Sequence, residues 1–250
     1  MFNLSEKGYG IRAMFDDIAP RYDLLNRLLS FGIDRRWRRY AVGQLDIPPQ
    51  GKVLDIATGT GDVALEIAAR TPDSVQIIGE DLTPGMLMHG RKKIAASPYA
   101  HRIHLVNAPC EAIPHPDNTF DGITIAFGIR NVVEREVGLR EMCRVLKPGG
   151  RAVVLEFSQP SSRVFGAVYD IYFNRVLPFV AGLLSTRAAY RYLPDSVAEF
   201  PPRAEFKAMM EEAGFSAVRY RDLTFGIATV YVGTRPDVDQ GRAEVAPRSL

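Results

Sequence analysis

The sequence has little cysteine and little net charge, and both deficits narrow the class of protein. It contains only two cysteines in 250 residues, Cys110 and Cys143, and they are not spaced as metal ligands. Two isolated thiols favour a reducing compartment and argue against a disulfide scaffold or a zinc site. With 31 basic and 29 acidic residues, the net charge is only +2, which gives no electrostatic reason to expect a nucleic-acid partner.

Long apolar runs are also missing, so no membrane-spanning segment is predicted. No stretch approaches the roughly 18 apolar residues that a spanning helix requires. The opening MFNLSEKGYGIRAMF lacks the apolar core of a secretory signal, and we therefore expect a cytoplasmic protein. One basic cluster, RRWRR at residues 35–39, fits either a phosphate or head-group patch or the solvated face of a helix, and the second use is commoner.

From Lys52 onward, short apolar runs alternate with helical stretches, a pattern typical of a parallel α/β sheet. The predicted strands are KVLDIA, residues 75–81, RIHLVNA, residues 120–128 and residues 151–157. The predicted helices are residues 63–70, a segment that starts at Pro84 with Thr83 as N-cap, residues 134–146 before KPGG, and PRAEFKAMMEEAG. A short link joins SAVRYRDL to GIATVYVGT, which predicts two antiparallel strands at a sheet edge.

The same pattern divides the chain into three parts. Residues 1–50 form a helical segment with breaks at Pro20 and at FGID, which either caps a ligand cleft or simply packs on the sheet. Residues 51–234 form the α/β domain, in which the aromatic-rich residues 158–200 lack the β–α rhythm and are interpreted as a helical insertion. The polar residues 235–250 are predicted to be a disordered tail.

The stretch VLDIATGTGDVALEIA, residues 53–68, has the form of a nucleotide-binding turn. Gly59 and Gly61 let the backbone turn sharply and approach a ligand, and the helix that follows presents free N–H groups there. The spacing Gly59-x-Gly61-x-x-Ala64 also satisfies the dinucleotide fingerprint. Asp81 ends the second predicted strand, and its carboxylate suits a ribose diol whatever the rest of the cofactor is.

Asp55 indicates which of two cofactor classes, a nicotinamide dinucleotide or S-adenosylmethionine, the turn would bind. It lies inside the turn region, where a dinucleotide fold must receive a pyrophosphate that a carboxylate would repel. A carboxylate at this point suits S-adenosylmethionine, which carries an ammonium and a sulfonium. The residues of the turn therefore favour S-adenosylmethionine over a nicotinamide dinucleotide.

Four longer stretches are more specific than the glycine turn: MFDDIAPRYDLLNRLLSFGIDRRWRR, ITIAFGIRNV, RVLKPGGRAVVLEFSQP and YRYLPDSV. Together they resemble the menaquinone and ubiquinone biosynthesis C-methyltransferases, over about residues 14 to 234. The resemblance implies the class I S-adenosylmethionine-dependent methyltransferase fold, a Rossmann-like seven-stranded sheet with an antiparallel last strand. It also implies C-methylation of a prenylated quinol, demethylmenaquinol to menaquinol, with the methoxy-benzoquinol of ubiquinone synthesis as a further candidate acceptor.

The resemblance assigns the cofactor-binding residues. Thr60 and its glycine neighbours would line the methionine end of S-adenosylmethionine, and Asp81 would hold its ribose. The adenine-side pair falls on Pro109 and Cys110, where the family commonly has a polar residue followed by alanine. Ala126 stands at a position after the fourth strand that is commonly small and polar. Because proline has neither an N–H nor a polar side chain, a side-chain contact to the adenine amine is lost at Pro109.

The two residues that follow Pro109 are candidates to replace the lost contact with the adenine amine. Cys110 can still offer its backbone N–H. Glu111 is either a substitute acceptor or an exposed glutamate in a salt bridge. Neither Cys110 nor Cys143 is expected to be a nucleophile, because carbon methylation of a quinol needs no catalytic thiol and buried thiols are ordinarily structural.

The candidate catalytic residues are Arg130 and Asn131, just past the fourth predicted strand. Because arginine stays protonated, Arg130 would stabilise a phenolate or orient a water rather than act as a simple base. Tyr22 and Asp23 of the N-terminal segment either complete the site or serve helix packing and a surface salt bridge. His115 is a weaker candidate base, since it lies in a loop where the family commonly has an aromatic residue.

The insertion fits a hydrophobic substrate. Its aromatic and apolar residues would form a lid or channel for an isoprenoid tail, or plain core: Phe157, Phe165, Tyr169, Tyr172, Phe173, Leu177 and Phe179. Because such a substrate resides in a bilayer, we expect peripheral contact with the inner face of the membrane. A homo-oligomer is left open.

Three other functions compete with this one. The chain could be a methyltransferase for another small molecule or for an RNA base, although the missing basic surplus disfavours RNA. It could be a nicotinamide-dependent oxidoreductase, which the glycine motif alone permits. It could also be a quinone- or lipid-binding protein that has lost the reaction, an alternative that the altered Pro109–Cys110 pair keeps open.

Overall fold

The computed structural model describes residues 6–24, 30, 32–159 and 187–237. Its strands are β1 (Lys52–Ile56), β2 (Gln76–Asp81), β3 (Ile103–Asn107), β4 (Phe120–Ala126), β5 (Leu146–Phe157), β6 (Ser216–Leu223) and β7 (Ala228–Thr234). Its α-helices are α1 (Glu6–Ile18), α2 (Asp34–Val42), α3 (Asp62–Arg70), α4 (Pro84–Ala95), α5 (Arg135–Val145), α6 (Arg187–Ala198) and α7 (Arg203–Glu212).

The seven strands form one sheet in the order β3-β2-β1-β4-β5-β7-β6. Strands β1 to β5 pair in parallel, whereas β7 is antiparallel to both of its neighbours, β5 and β6. This arrangement confirms the seven-stranded α/β sheet with an antiparallel last strand. It also confirms that the last two runs are antiparallel neighbours, because β6 is the edge strand and β7 pairs with it.

Alternation along the strands places an apolar layer on each face of the sheet. Even-numbered residues of β1 and β5, such as Leu54 and Val154, pack with Leu139 of α5 and Phe206 of α7. Odd-numbered residues of β1 and β2 face the other way: Val53 and Ile77 pack with Ile67 of α3. Helices therefore cover both faces, which leaves the strand ends as the exposed edge where loops can build a site.

The structure corrects two details of the predicted elements. KPGG does not separate a helix from a strand, because α5 ends at Val145 and β5 begins at Leu146. Gly149, with φ of +76°, lies within that long strand, and the pairing with β4 shifts register between Phe120 and Gly122. The link between β6 and β7 is a 3-10 turn, Thr224–Gly226.

The N-terminal segment packs against both a helix and the sheet. Helix α1 ends at Ile18, before the predicted break at Pro20, and packs on α4. Helix α2 packs on the sheet, where the buried Trp37 donates from Nε1 to Thr224 Oγ1 at 2.8 Å. Within RRWRR, Arg38 is buried as well, whereas the other three arginines are exposed, as expected of a solvated helix face.

Most of the predicted insertion, residues 160–186, lies outside the described residues, and so do six of the seven proposed tail-contacting residues. The predicted tail beyond residue 237 also lies outside them. Among the helices that the structure does describe, none has the length and apolar character needed to cross a membrane.

Candidate functional site

The loops after β1 and β4 meet at the carboxyl edge of the sheet in strained conformations. Ala57 and Phe127, each just past a strand end, adopt φ of +51° and +57°. Gly128 follows, and a Cβ there would lie 2.4 Å from the Cβ of Ala57. Left-handed non-glycine residues of this kind cost free energy and cluster at ligand sites, which makes these two loops candidates for a ligand site.

The glycine turn forms as the sequence predicts. Gly59 and Gly61 have φ of +57° and +83°, a region that disfavours side chains. Gly61 is the N-cap of α3. Gly90 of α4 supports the turn from behind, because a Cβ there would lie 3.1 Å from the carbonyl oxygen of Gly59. The turn is thus held against a helix with no room for a methyl group.

A cavity of about 100 Å³ opens beside this turn. Six of the predicted site residues line it: Tyr22, Gly59, Asp81, Cys110, Ala126 and Asn131. The other five do not line it: Asp55, Thr60, Gly61, Pro109 and Arg130.

Asp81 is anchored at the end of β2. Its Oδ2 accepts a hydrogen bond from the N–H of Gly59 and its Oδ1 accepts one from the N–H of Thr83, both at 2.8 Å. Burial raises the pKa of Asp81, and the two N–H groups partly offset that rise. The carboxylate of Asp81 is thus fixed by two backbone N–H groups at the wall of the cavity.

Asp55 differs from the prediction that it contacts the cofactor, because it lies beneath the turn. Only 1% of the residue is exposed. Its oxygens accept hydrogen bonds from Thr58 Oγ1 and Thr124 Oγ1, each at 2.7 Å. Thr124 is its register partner on β4. Burial raises the pKa of Asp55 to about 6, against the lowering effect of the two hydroxyls. The carboxylate therefore links the turn to β4.

Thr60 points away from the cavity into a network of charges. Its Oγ1 donates to Asp23 Oδ1 at 2.5 Å, and Lys93 Nζ donates to Asp23 Oδ2 at 2.6 Å. Lys93 also pairs with Asp62, which Arg38 contacts at 2.5 Å from the other side. Burial opposes ionisation of Asp62, but these two cations outweigh it and hold its pKa below the ordinary value. The network ties the N-terminal segment to the glycine turn.

Arg130 does not reach the cavity, because it is paired inside the protein. Its Nη1 lies 2.8 Å from Oε1 of Glu156, a fully buried residue on β5, and only 6% of the Arg130 side chain is exposed. Its Nε donates to Ser196 of α6 at 3.3 Å. Asn131 does line the cavity, and its Oδ1 accepts a hydrogen bond from Tyr192 Oη at 2.9 Å.

Aromatic rings form the wall next to Asn131. Phe127, which lines the cavity, has its ring centroid 4.5 Å from that of Phe157. Trp37 packs edge-on against Phe157 at 6.2 Å. Phe157, the described member of the proposed tail-contacting set, therefore backs the cavity wall.

The loop after β3 closes another side of the cavity. Pro109 does not line it, whereas Cys110 and Glu111 do. Burial raises the pKa of the Cys110 thiol well above its ordinary value, which fits a structural thiol. Glu111 accepts hydrogen bonds at Oε1 from the N–H groups of Val133 and Glu134, at 3.2 and 3.5 Å. Backbone amides thus hold it in place of the surface salt bridge that the sequence allowed.

His115 lies away from the cavity. Its Nε2 is 2.9 Å from Oε1 of the buried Glu80, and its ring packs edge-on against Phe120 at 5.1 Å. Burial raises the pKa of Glu80 to about 7 and lowers that of His115. Burial thus favours the uncharged form of each group. Because His115 faces Glu80 and does not line the cavity, a role for it as substrate base is not supported.

Helix α1 lines the cavity with Ile11, Arg12 and Phe15. It is held in place by Asp16, whose Oδ1 accepts a hydrogen bond from the N–H of Gly85, in the first turn of α4, at 2.8 Å. That N–H is one of the four that a helix leaves without an internal partner. Helix α1 of the N-terminal segment therefore forms part of the cavity wall.

Three residues at or next to the site have structural roles that the sequence did not predict. Glu156 is hidden in an apolar strand, although a lone acid in VVLEF was a visible signal. Gly90 interrupts a helical pattern, which often marks close packing. Lys93 is one of several basic residues on α4, and nothing in the sequence distinguishes it from its neighbours.

Comparison with known proteins gives consistent results. A model of the ubiE/COQ5 methyltransferase family matches residues 2–235. The chain is 64% identical over 235 residues to the ubiquinone/menaquinone biosynthesis C-methyltransferase UbiE of Geobacter sulfurreducens, covering 94% of this chain and 92% of the relative. It is 53% identical over 225 residues to the demethylmenaquinone methyltransferase of Thermus thermophilus, covering 89% and 100%.

Solved structures resemble the fold at much lower identity. The [4+2]-cyclase SpnF superposes with a TM-score of 0.69 at 16% identity, covering 90% of this chain and 96% of the other. A Thermotoga maritima methyltransferase, described as a possible histamine N-methyltransferase, gives a TM-score of 0.62 at 20% identity, covering 90% and 99%. At such identities the likeness concerns the fold alone.

Proposed function

This chain belongs to the ubiE/COQ5 methyltransferase family, and we propose that it transfers the methyl group of S-adenosylmethionine to a ring carbon of a prenylated quinol. The acceptor that we propose first is demethylmenaquinol, because a 53% identical relative is named for it. The methoxy-benzoquinol of ubiquinone synthesis is the second candidate, which the name of the 64% identical relative supports. The observation that carries the proposal is a cavity between Asp81 and Asn131, lined by the glycine turn.

The residues present fit S-adenosylmethionine. Gly59 allows close approach of a ligand, and Asp81 offers a fixed carboxylate for the ribose diol. Cys110 would offer its backbone N–H to the adenine ring, and Ala126 leaves space in the wall. Asp55 lies directly beneath the turn, where its charge favours a cationic cofactor and disfavours a pyrophosphate. A nicotinamide dinucleotide fits this arrangement less well.

The residues at the other end of the cavity suit a quinol ring. Bound S-adenosylmethionine supplies an electrophilic methyl group. Asn131 and Tyr22 are placed to bind a ring hydroxyl, and their hydrogen bonds would stabilise the phenolate that makes the adjacent carbon nucleophilic. Phe127 excludes water and holds the ring face, while α1 forms part of the cavity wall. Glu156 accepts the backbone N–H of Arg130 and pairs with its guanidinium, which fixes the backbone that carries Asn131.

The direct test is methyl transfer from labelled S-adenosylmethionine to demethylmenaquinol and to a methoxy-benzoquinol, both reduced beforehand and offered side by side. We expect label in the naphthoquinol. Label in both quinols would establish a bifunctional enzyme. Label in neither, with cofactor bound, would refute the proposed acceptor class.

Because a prenylated acceptor resides in a bilayer, we also propose peripheral membrane contact. Flotation with liposomes that contain the quinone, against liposomes without it, measures this directly. Protein that stays at the bottom of the gradient with both would contradict the proposal.

A further inference from the structure

The cavity crosses the ends of three neighbouring strands, and each contributes a different kind of group. Gly59 follows β1 and Asp81 ends β2, while Cys110 and Glu111 follow β3. These strands are adjacent in the sheet, in the order β3-β2-β1. A ligand with its amino-acid part at Gly59 and its ribose at Asp81 therefore extends its third part, the purine, toward the loop after β3.

That loop offers few polar groups to a purine. Pro109 has no N–H and does not line the cavity. Of the residues that the structure describes around the cavity, only Asp81 and Glu111 are acidic. Asp81 is assigned to the ribose. Asn131 has an amide oxygen, but that oxygen already accepts the hydrogen bond from Tyr192.

Glu111 is held so that one of its oxygens remains available. The two backbone N–H groups of Val133 and Glu134 both donate to Oε1. Oε2 accepts no hydrogen bond from any described residue, and the half-buried side chain lines the cavity. The backbone thus fixes the carboxylate from one side and leaves an acceptor on the other.

We infer that Glu111 accepts a hydrogen bond from the exocyclic amine of adenine and determines the base specificity of the cofactor site. The inference rests on the proposed function, in which the cavity takes an adenosyl cofactor. A carboxylate acceptor favours a purine with an N–H donor at position 6. A purine with only a hydrogen atom at that position would leave the carboxylate oxygen without a donor. Charge-assisted hydrogen bonds of this kind are worth about 1.5–3 kcal/mol, which corresponds to roughly 10- to 150-fold in affinity.

The test compares two ligands on three proteins by isothermal titration calorimetry. The ligands are S-adenosylhomocysteine and its analogue with hydrogen in place of the 6-amino group. The proteins are the wild type, Glu111→Gln, and Glu136→Gln as a matched control on the exposed first turn of α5. In Glu111→Gln the amide oxygen can still accept from Val133 and Glu134, so its NH₂ group would face the adenine amine, donor against donor.

We expect the wild type and Glu136→Gln to prefer the amino ligand about 10-fold or more. Glu111→Gln should bind both ligands about equally, through weaker binding of S-adenosylhomocysteine alone. A wild-type preference near 1, or an unchanged preference in Glu111→Gln, overturns the inference while leaving the proposed function intact. Equal weakening of both ligands assigns Glu111 to loop packing and also overturns it. Failure of the wild type to bind either ligand refutes the cofactor assignment itself.

Discussion

Asp55→Asn should make the protein more stable at neutral pH and a poorer binder of its cofactor. Burial raises the pKa of Asp55 from its ordinary value of 3.8 to about 6. Because the folded state binds this proton more tightly than the unfolded state, the stability associated with Asp55 is fully present below pH 3.8 and is lost as pH rises to about 6. The difference corresponds to about 3 kcal/mol, of which about 2 kcal/mol falls between pH 4.5 and 7.5.

Asparagine removes this ionisation with little change of shape. Its side chain can still meet the hydroxyls of Thr58 and Thr124, because each hydroxyl can donate or accept. In urea unfolding, Asp55→Asn should therefore gain about 2 kcal/mol relative to wild type on going from pH 4.5 to 7.5. Asp46→Asn, at a side chain that is 75% exposed, is the control and should show no such trend.

The same substitution should weaken S-adenosylmethionine, because a buried negative charge near a cationic ligand is lost. We expect roughly a 10-fold rise in Kd by calorimetry at pH 7.5, the equivalent of about 1.4 kcal/mol. A stability difference between Asp55→Asn and wild type that stays constant across this pH range would refute the reasoning. So would unchanged cofactor affinity, since it would show that the charge does not act on the cavity.

Three further substitutions test other parts of the site. Glu156→Ala should lower the free energy of unfolding in urea by about 3–5 kcal/mol, because it leaves Arg130 buried and unpaired. The double variant with Arg130→Met should recover much of that loss, and purely additive losses would count against the ion pair. Gly90→Ala should lower the stability of the protein by about 1–3 kcal/mol and weaken cofactor binding, because the new methyl group would press on the glycine turn. Unchanged thermal stability and Kd would argue that the turn can move aside. Asp81→Asn should weaken the binding of S-adenosylhomocysteine about 10-fold or more in calorimetry. The reason is that the amide NH₂ would face one of the two backbone N–H groups that now donate to Asp81. Full affinity would exclude a ribose contact.

The fold could be predicted from the sequence because its signals are local. Apolar alternation identifies strands and their two faces, and glycine with proline marks where elements end. In a parallel sheet, strand ends converge on one edge. Gly59, Asp81 and Asn131 each follow or end a strand, so their meeting at the cavity followed once the strands were recognised. The long strand β5 was misjudged at its start, because KPGG has the composition of a turn yet lies within a paired strand.

The orientation of side chains could not be predicted in this way. Arg130 follows the fourth strand as expected, but Glu156, 26 residues further along the chain, draws it away from the cavity. Asp55 is turned beneath the wall by Thr124 on the neighbouring strand. Glu111, which the sequence left between two roles, is fixed by the N–H groups of residues 133 and 134. These partners are distant in sequence, and tertiary packing decides which of them lies within hydrogen-bonding distance. A buried charge without such a partner would be energetically costly. The sequence by itself therefore determined the sheet, the turn and the edge at which a ligand binds, and only the tertiary structure decided which carboxylates and amides face it.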